Sequence, residues 1–138
     1  MQIVLNGQPG ERENLVRGLE KFCREQRVPP AVRNAADVAL EEHVTNVLSH
    51  GYEACAPHRV VVTLKVDANF LCAEVADDGK SCDPLATPPV DTSVPLAEKP
   101  IGGLGVHLMR EFMDELSYAR EAGRNVLRMK KRIGSEIG

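Results

Sequence analysis

Residues 59–77 of the chain run Arg59-Val60-Val61-Val62-Thr63-Leu64-Lys65-Val66-Asp67-Ala68-Asn69-Phe70-Leu71-Cys72-Ala73-Glu74-Val75-Ala76-Asp77. Two runs rich in β-branched and apolar residues, 59–66 and 70–77, flank Asp67-Ala68-Asn69. The pattern predicts two strands of a hairpin joined by a three-residue loop. Strand side chains alternate between faces, so Leu71, Ala73, Val75 and Asp77 share one side. That geometry aims the Asp77 carboxylate off the end of an apolar row.

Upstream, residues 2–6 read as a strand closed by the turn cluster Gly7-Gln8-Pro9-Gly10. Residues 11–26 form an amphipathic helix with Leu15, Leu19, Phe22 and Cys23 on one stripe. Glu11 and Glu13 lie in its first turn, where the helix dipole favours acids. Val28-Pro29-Pro30 ends it, and Pro30 suits the first turn of a second helix running to about residue 50. Val32, Ala36, Ala39, Leu40, Val44 and Val47 are that helix's expected buried side, with Gly51 as its stop.

Downstream, five of the nine prolines fall within residues 82–101, a loop too long to be mere connection in a compact domain. Gly102-Gly103-Leu104-Gly105 then opens a third helix, with Val106, Met109, Phe112 and Met113 predicted inward. Two last strands, 115–119 and 125–132, are joined by a Glu121-Ala122-Gly123-Arg124 turn. Helices come in blocks and do not alternate singly with strands. The expected fold is therefore α+β, a two-layer α/β sandwich with a mixed sheet on one side and helices on the other.

A chain of 138 residues is one domain's worth, and residues 1–138 are read as a single domain. Its 43% hydrophobic and 27% charged residues exclude a disordered tail or a fibre. No apolar run approaches the roughly 20 residues of a membrane-spanning helix. Met1-Gln2-Ile3-Val4 lacks the basic and apolar regions of a secretory signal, so a cytoplasmic protein is expected. The net charge of −3 argues against general affinity for nucleic acid or anionic membrane. Arg128, Lys130, Lys131 and Arg132 alternate as on a solvated strand edge. Cys23, Cys55, Cys72 and Cys82 show no CxxC spacing and read as free thiols of a reducing compartment.

Three constellations carry possible chemistry. Glu42, Asn46 and His50 recur every four residues and so occupy one helical stripe. A carboxylate there can act as a general base and an amide oxygen can ligate magnesium; the same stripe also suits an ordinary solvated face. Asp77-Asp78-Gly79 after a strand is either a simple turn or a carboxylate facing a planar ligand, with Gly79 admitting a close approach. Gly103-Leu104-Gly105 at a helix start is either a flexible joint or a cradle for phosphate on unpaired N–H groups. His43, His58 and His107 have no metal-ligand spacing, and neither GxSxG nor a Walker-type loop occurs.

Taken in order, these motifs resemble the GHKL ATPase superfamily. Glu42-His43-Val44-Thr45-Asn46-Val47-Leu48-Ser49-His50-Gly51-Tyr52, with Gly103-Leu104-Gly105-Val106-His107-Leu108-Met109-Arg110-Glu111-Phe112-Met113-Asp114-Glu115, looks most like the anti-sigma factor serine kinases of bacterial partner-switching systems. The resemblance spans roughly residues 2–133 and implies a histidine-kinase-like ATPase, or Bergerat-type, fold. It implies ATP and Mg2+ as ligands, with Asn46 holding the metal and Glu42 orienting or deprotonating a serine hydroxyl. Asp77 would accept from the adenine amine beside Gly79. Gly103, Leu104 and Gly105 would meet the phosphates, and residues 82–101 would form a flexible ATP lid. For His50 a phosphate contact and a plain helix end stay equally open.

The implied partners are an anti-anti-sigma factor of STAS type as substrate, a sigma factor, and a second copy of the chain through a sheet or strand surface. No direct contact with nucleic acid or membrane is implied. Two departures stand out: Ser81 replaces a glycine usual in the family, and Arg124-Asn125 stands where Gly-Thr is common. A non-catalytic ATP-binding module of the same fold and a plain ATP hydrolase are the competing readings.

Overall fold

In the computed structural model the described residues are 1–6, 10–49, 59–79, 83–86 and 101–134, with backbone alone for 48, 49, 86 and 101–106. Strand β1 (Gln2–Leu5) leads into helices α1 (Glu11–Glu25) and α2 (Pro30–Ser49). Strands β2 (Val60–Asp67) and β3 (Phe70–Asp77) follow, then a single 3-10 turn at Pro84–Ala86. Helix α3 (Ile101–Phe112) precedes β4 (Glu115–Glu121) and β5 (Arg124–Arg132). No helix among the described residues is long and apolar enough to cross a membrane.

The expected two-layer α+β sandwich is what forms. Its sheet, in the order β1-β2-β3-β5-β4, is antiparallel at every pairing among the described residues and so is not mixed. The reason lies in β5. A crossover through α3 makes β3 and β4 run the same way, but β5 hairpins back from β4 and inserts between them. No two parallel strands are left in contact.

The turn between β2 and β3 is one residue shorter than expected. Asp67 pairs with Phe70, leaving only Ala68 and Asn69 to reverse the chain, with Ala68 at φ 53°. The basic C-terminal strand is interior, not an edge: Arg128, Lys130 and Arg132 mark its solvent side, while Leu127 and Met129 face the core.

Helix α1 ends through its own backbone before the prolines act. Val28 N–H donates to the Cys23 carbonyl (2.8 Å) and Arg27 N–H to that of Arg24 (3.3 Å). This is the closed C-terminal motif that requires a left-handed residue, here Arg27 at φ 57°. The Pro29 carbonyl then accepts from Val32 and Arg33, which opens α2 with Pro30 at its first position.

Helix α2 packs on α1 and α3 and lies over β3 and β5. Its buried side carries Val32, Ala36, Ala39, Leu40 and Val44 as predicted, with Val47 half-buried. Met109 on α3 and Met113 just past its end are buried, but Phe112 is 38% exposed and does not point inward as expected. Successive helical residues turn by about 100°, so Phe112 falls off the stripe that joins Met109 to Met113.

Candidate functional site

Register places the site's polar groups in one row on the helix-facing side of the sheet. Leu5, Val60, Asp77, Asn125 and Arg120 stand side by side across β1, β2, β3, β5 and β4. Leu71, Ala73 and Val75 are buried below Asp77, which is itself only 5% exposed. A carboxylate so enclosed needs hydrogen-bond donors. Asp77 Oδ1 accepts from the Gly79 N–H and from Asn125 Nδ2, both at 3.0 Å. Buried Asn125 in turn accepts at Oδ1 from the Tyr118 hydroxyl (2.5 Å), and Arg120 Nη1 donates to the Gly79 carbonyl (2.7 Å).

Asp77 and Gly79 are thus held together by a local turn bond and by the β4–β5 hairpin. Tyr118 and Arg120 were missed from sequence. The signal existed in the Glu121–Arg124 turn: counting back from it pairs Arg120 with Asn125 on one face. Asp78 points the other way, its Oδ1 accepting from Arg59 N–H (2.9 Å) beside a cavity of about 150 Å³ on the sheet face opposite the helices.

Helix α2 presents Glu42 and Asn46 one turn apart, both half-buried. Between them His43 faces the core, 5% exposed, and burial pushes its imidazole down to about 4, so it is neutral near pH 7. His50, Ser81, Cys55, Cys82 and His58 lie outside the described residues, as do residues 87–100 of the expected lid. Cys23 and Cys72 are free and buried.

Helix α3 begins at Ile101, two residues before Gly103. Of Gly103, Leu104 and Gly105, only Gly103 therefore lies among the first N–H groups that lack a partner within the helix, while Leu104 and Gly105 follow where the helical ladder has begun. At the start of the expected lid, Leu85 N–H caps onto Asp83 Oδ1 (2.8 Å) and the Leu85 carbonyl accepts from Arg110 Nη2 (3.0 Å). The 3-10 turn is thereby tied to α3, a contact the sequence did not suggest.

The donor set suits a magnesium nucleotide. Helix α2, which carries the hard oxygens of Glu42 and Asn46, packs against α3, whose start favours anions, and touches β3, whose tip holds the fixed Asp77 carboxylate.

A family model for the histidine kinase-like ATPase domain matches residues 6–131. The chain belongs to this family. Among the family's members, an anti-sigma F factor from Thermoanaerobacter sp. (strain X514) is 34% identical over 118 residues, covering 80% of this chain and 78% of that protein. The serine/threonine-protein kinase BtrW of Bordetella bronchiseptica is 30% identical over 120 residues, covering 86% of this chain and 83% of the relative. The solved structure of the RsbU and RsbW domains of Rv1364c from Mycobacterium tuberculosis superposes with a TM-score of 0.68 at 16% identity. It covers 96% of this chain, which spans 32% of that one, and it supports the histidine kinase-like ATPase fold alone. The resemblance to anti-sigma serine kinases drawn from the motifs is borne out.

Proposed function

We propose that this chain is an ATP-dependent serine/threonine-protein kinase that phosphorylates an anti-anti-sigma factor and sequesters a sigma factor. The observation that carries the reading is similarity, over four-fifths or more of the chain, to relatives named both as anti-sigma factor and as serine/threonine kinase. Magnesium is held by the Asn46 side-chain oxygen. Asp77 accepts from the exocyclic amine of adenine, and Gly79 admits the ring edge. The start of α3 at Gly103, Leu104 and Gly105 receives the phosphates through its helix dipole and the Gly103 N–H, and His50 is a candidate further contact.

When bound, ATP supplies the phosphoryl group. Glu42 orients the serine hydroxyl of the protein substrate and takes its proton. Such transfer rests on positioning and charge neutralisation more than on covalent help from the protein. The phosphate left on the antagonist adds close to two negative charges to its docking surface and releases it. The sigma factor is then captured in its place. A second copy of the chain is a further partner, through the sheet face opposite the helices. There Val4, Val61, Ala76, Val126 and Ala119 form an apolar row across all five strands. The reducing cytoplasm is the compartment that suits these free thiols.

The test is phosphate transfer to a purified STAS-type antagonist with Mg2+ and ATP. Glu42→Gln is expected to bind ATP and fail to transfer, and Asn46→Ala to weaken Mg·ATP binding itself. Equal transfer by Glu42→Gln removes that carboxylate from the base role. Binding without any transfer by the unaltered chain leaves a non-catalytic module.

A further inference from the structure

We propose that Tyr118 and Asn125 are positioning residues that set this chain's preference between 6-amino and 6-oxo purine nucleotides, by fixing how Asp77 faces the base. The inference rests on the reading of Asp77 as the base-facing carboxylate.

A carboxylate offers about four lone-pair sites on two oxygens. In this chain Oδ1 carries two donors, Gly79 N–H and Asn125 Nδ2, each at 3.0 Å. Neither donates to Oδ2, the oxygen that on this reading meets the base. Two bonds to one oxygen, one from the bend after β3 and one from β5, stop the carboxylate rotating.

The Asn125 amide has two possible orientations, and its neighbours decide between them. A carboxylate accepts only, so the N–H side must face Asp77. The amide oxygen then faces Tyr118, whose hydroxyl donates to it at 2.5 Å. Reversing the amide would set oxygen against oxygen at Asp77. Tyr118 is half-buried in the apolar row next to Asn125, opposite Leu127, and its ring cannot swing aside cheaply.

Arg120, two residues along the same strand, fixes the other end of the turn through the Gly79 carbonyl. The β4–β5 hairpin therefore braces Asp77 and Gly79 together. A purine with an amine at C6 donates to Oδ2, whereas one with a carbonyl at C6 brings an acceptor against it. The discrimination holds only while Oδ2 stays in place, because a carboxylate free to turn could meet either base through water.

The experiment is calorimetric titration of the whole chain with ATP and with ITP in the presence of Mg2+, for the unaltered protein and for Tyr118→Phe, Asn125→Ala, the double variant and Asp77→Asn. Tyr118→Phe removes one hydroxyl and keeps the ring. Its ATP affinity is expected to fall roughly 3- to 10-fold, the value of one hydrogen bond, with ITP affinity nearly unchanged. The double variant is expected to lose no more than Asn125→Ala alone, since Tyr118 acts through that amide.

A thermal melt shows that each variant is folded. If folded Tyr118→Phe keeps the full ATP preference, or weakens both nucleotides equally, the positioning role is overturned. If the unaltered chain does not distinguish ATP from ITP, or Asp77→Asn leaves the ratio untouched, the base-facing assignment of Asp77 itself fails and takes the inference with it.

Discussion

Asp37 and Glu41, one turn apart on α2, share a hydrogen bond between their carboxyl groups, and Arg12 of α1 closes on Glu41 from across the helix interface. Burial raises Asp37 to about 6, and the bond and charge of Glu41 push the same way against Arg12. Burial works to raise Glu41 too, but its hydrogen bonds with Asp37 and Arg12 outweigh that and hold it below its ordinary value. Among the described residues Asp37 Oδ1 is also the buried side-chain oxygen left without a partner, next to a cavity of about 70 Å³.

The sign follows from the raised value. The folded chain binds this proton more tightly than the unfolded one, so its contribution is complete below pH 3.8 and is lost as pH rises through about 6. Asp37→Asn keeps a donor toward Glu41 and removes the charge. After discounting for solvent screening it is expected to stabilise the protein by about 1 kcal/mol at pH 7.5 and to do nothing comparable at pH 4. Urea unfolding at the two pH values checks this; an equal change at both would count against the shared proton.

His43 acts in the opposite direction. Its folded value near 4 lies below the ordinary 6.5, so the unfolded chain binds more protons between those limits. Stability is expected to rise by roughly 3 kcal/mol as pH climbs from 4 to 6.5 through this group. Denaturant midpoints across that range, compared in Asp37→Asn and in Asp37→Asn with His43→Gln, isolate it. A slope that survives removal of the imidazole places its origin elsewhere.

The β4–β5 turn runs through Ala122 at φ 50° and Gly123 at φ 76°. Only the second is a residue that takes such angles without strain, and Asn-Gly is the pair this turn prefers. Ala122→Asn is expected to add about 0.5–1 kcal/mol, since asparagine tolerates the left-handed region better than alanine does. A thermal midpoint that fails to rise would argue against a turn with two left-handed residues.

Gly18 lets α1 press onto β1. A Cβ there would stand 2.5 Å from Ile3 Cδ1 and 2.9 Å from its Cγ1. The usual helical gain of about 1 kcal/mol from Gly to Ala is expected to be overturned by this overlap, giving a net loss of about 1 kcal/mol. Ile3→Val removes the nearest atom, so the double variant should recover part of the loss. Additive losses in chemical denaturation would show that the two residues do not meet.

Much of this was legible beforehand because it is local. The stripe Leu15, Leu19, Phe22 and Cys23 and the face Leu71, Ala73, Val75 and Asp77 are buried as their spacing required. Phe112 was misplaced because a residue at the end of a short helix can lie off the stripe without breaking its apolar pattern. The mixed sheet was misjudged because a crossover helix reports strand direction, while the neighbour of each strand depends on where β5 inserts.

Sequence alone determined the order of elements, the core faces and the placing of Asp77 at the tip of an apolar row, since periods of two and 3.6 residues are properties of the backbone itself. Tertiary structure alone decided what surrounds that carboxylate. Asn125 lies 48 residues from Asp77 and Arg120 lies 41 from Gly79. Such pairs meet only through strand order and register, which are set by the summed packing of the whole sheet and leave no trace in local spacing.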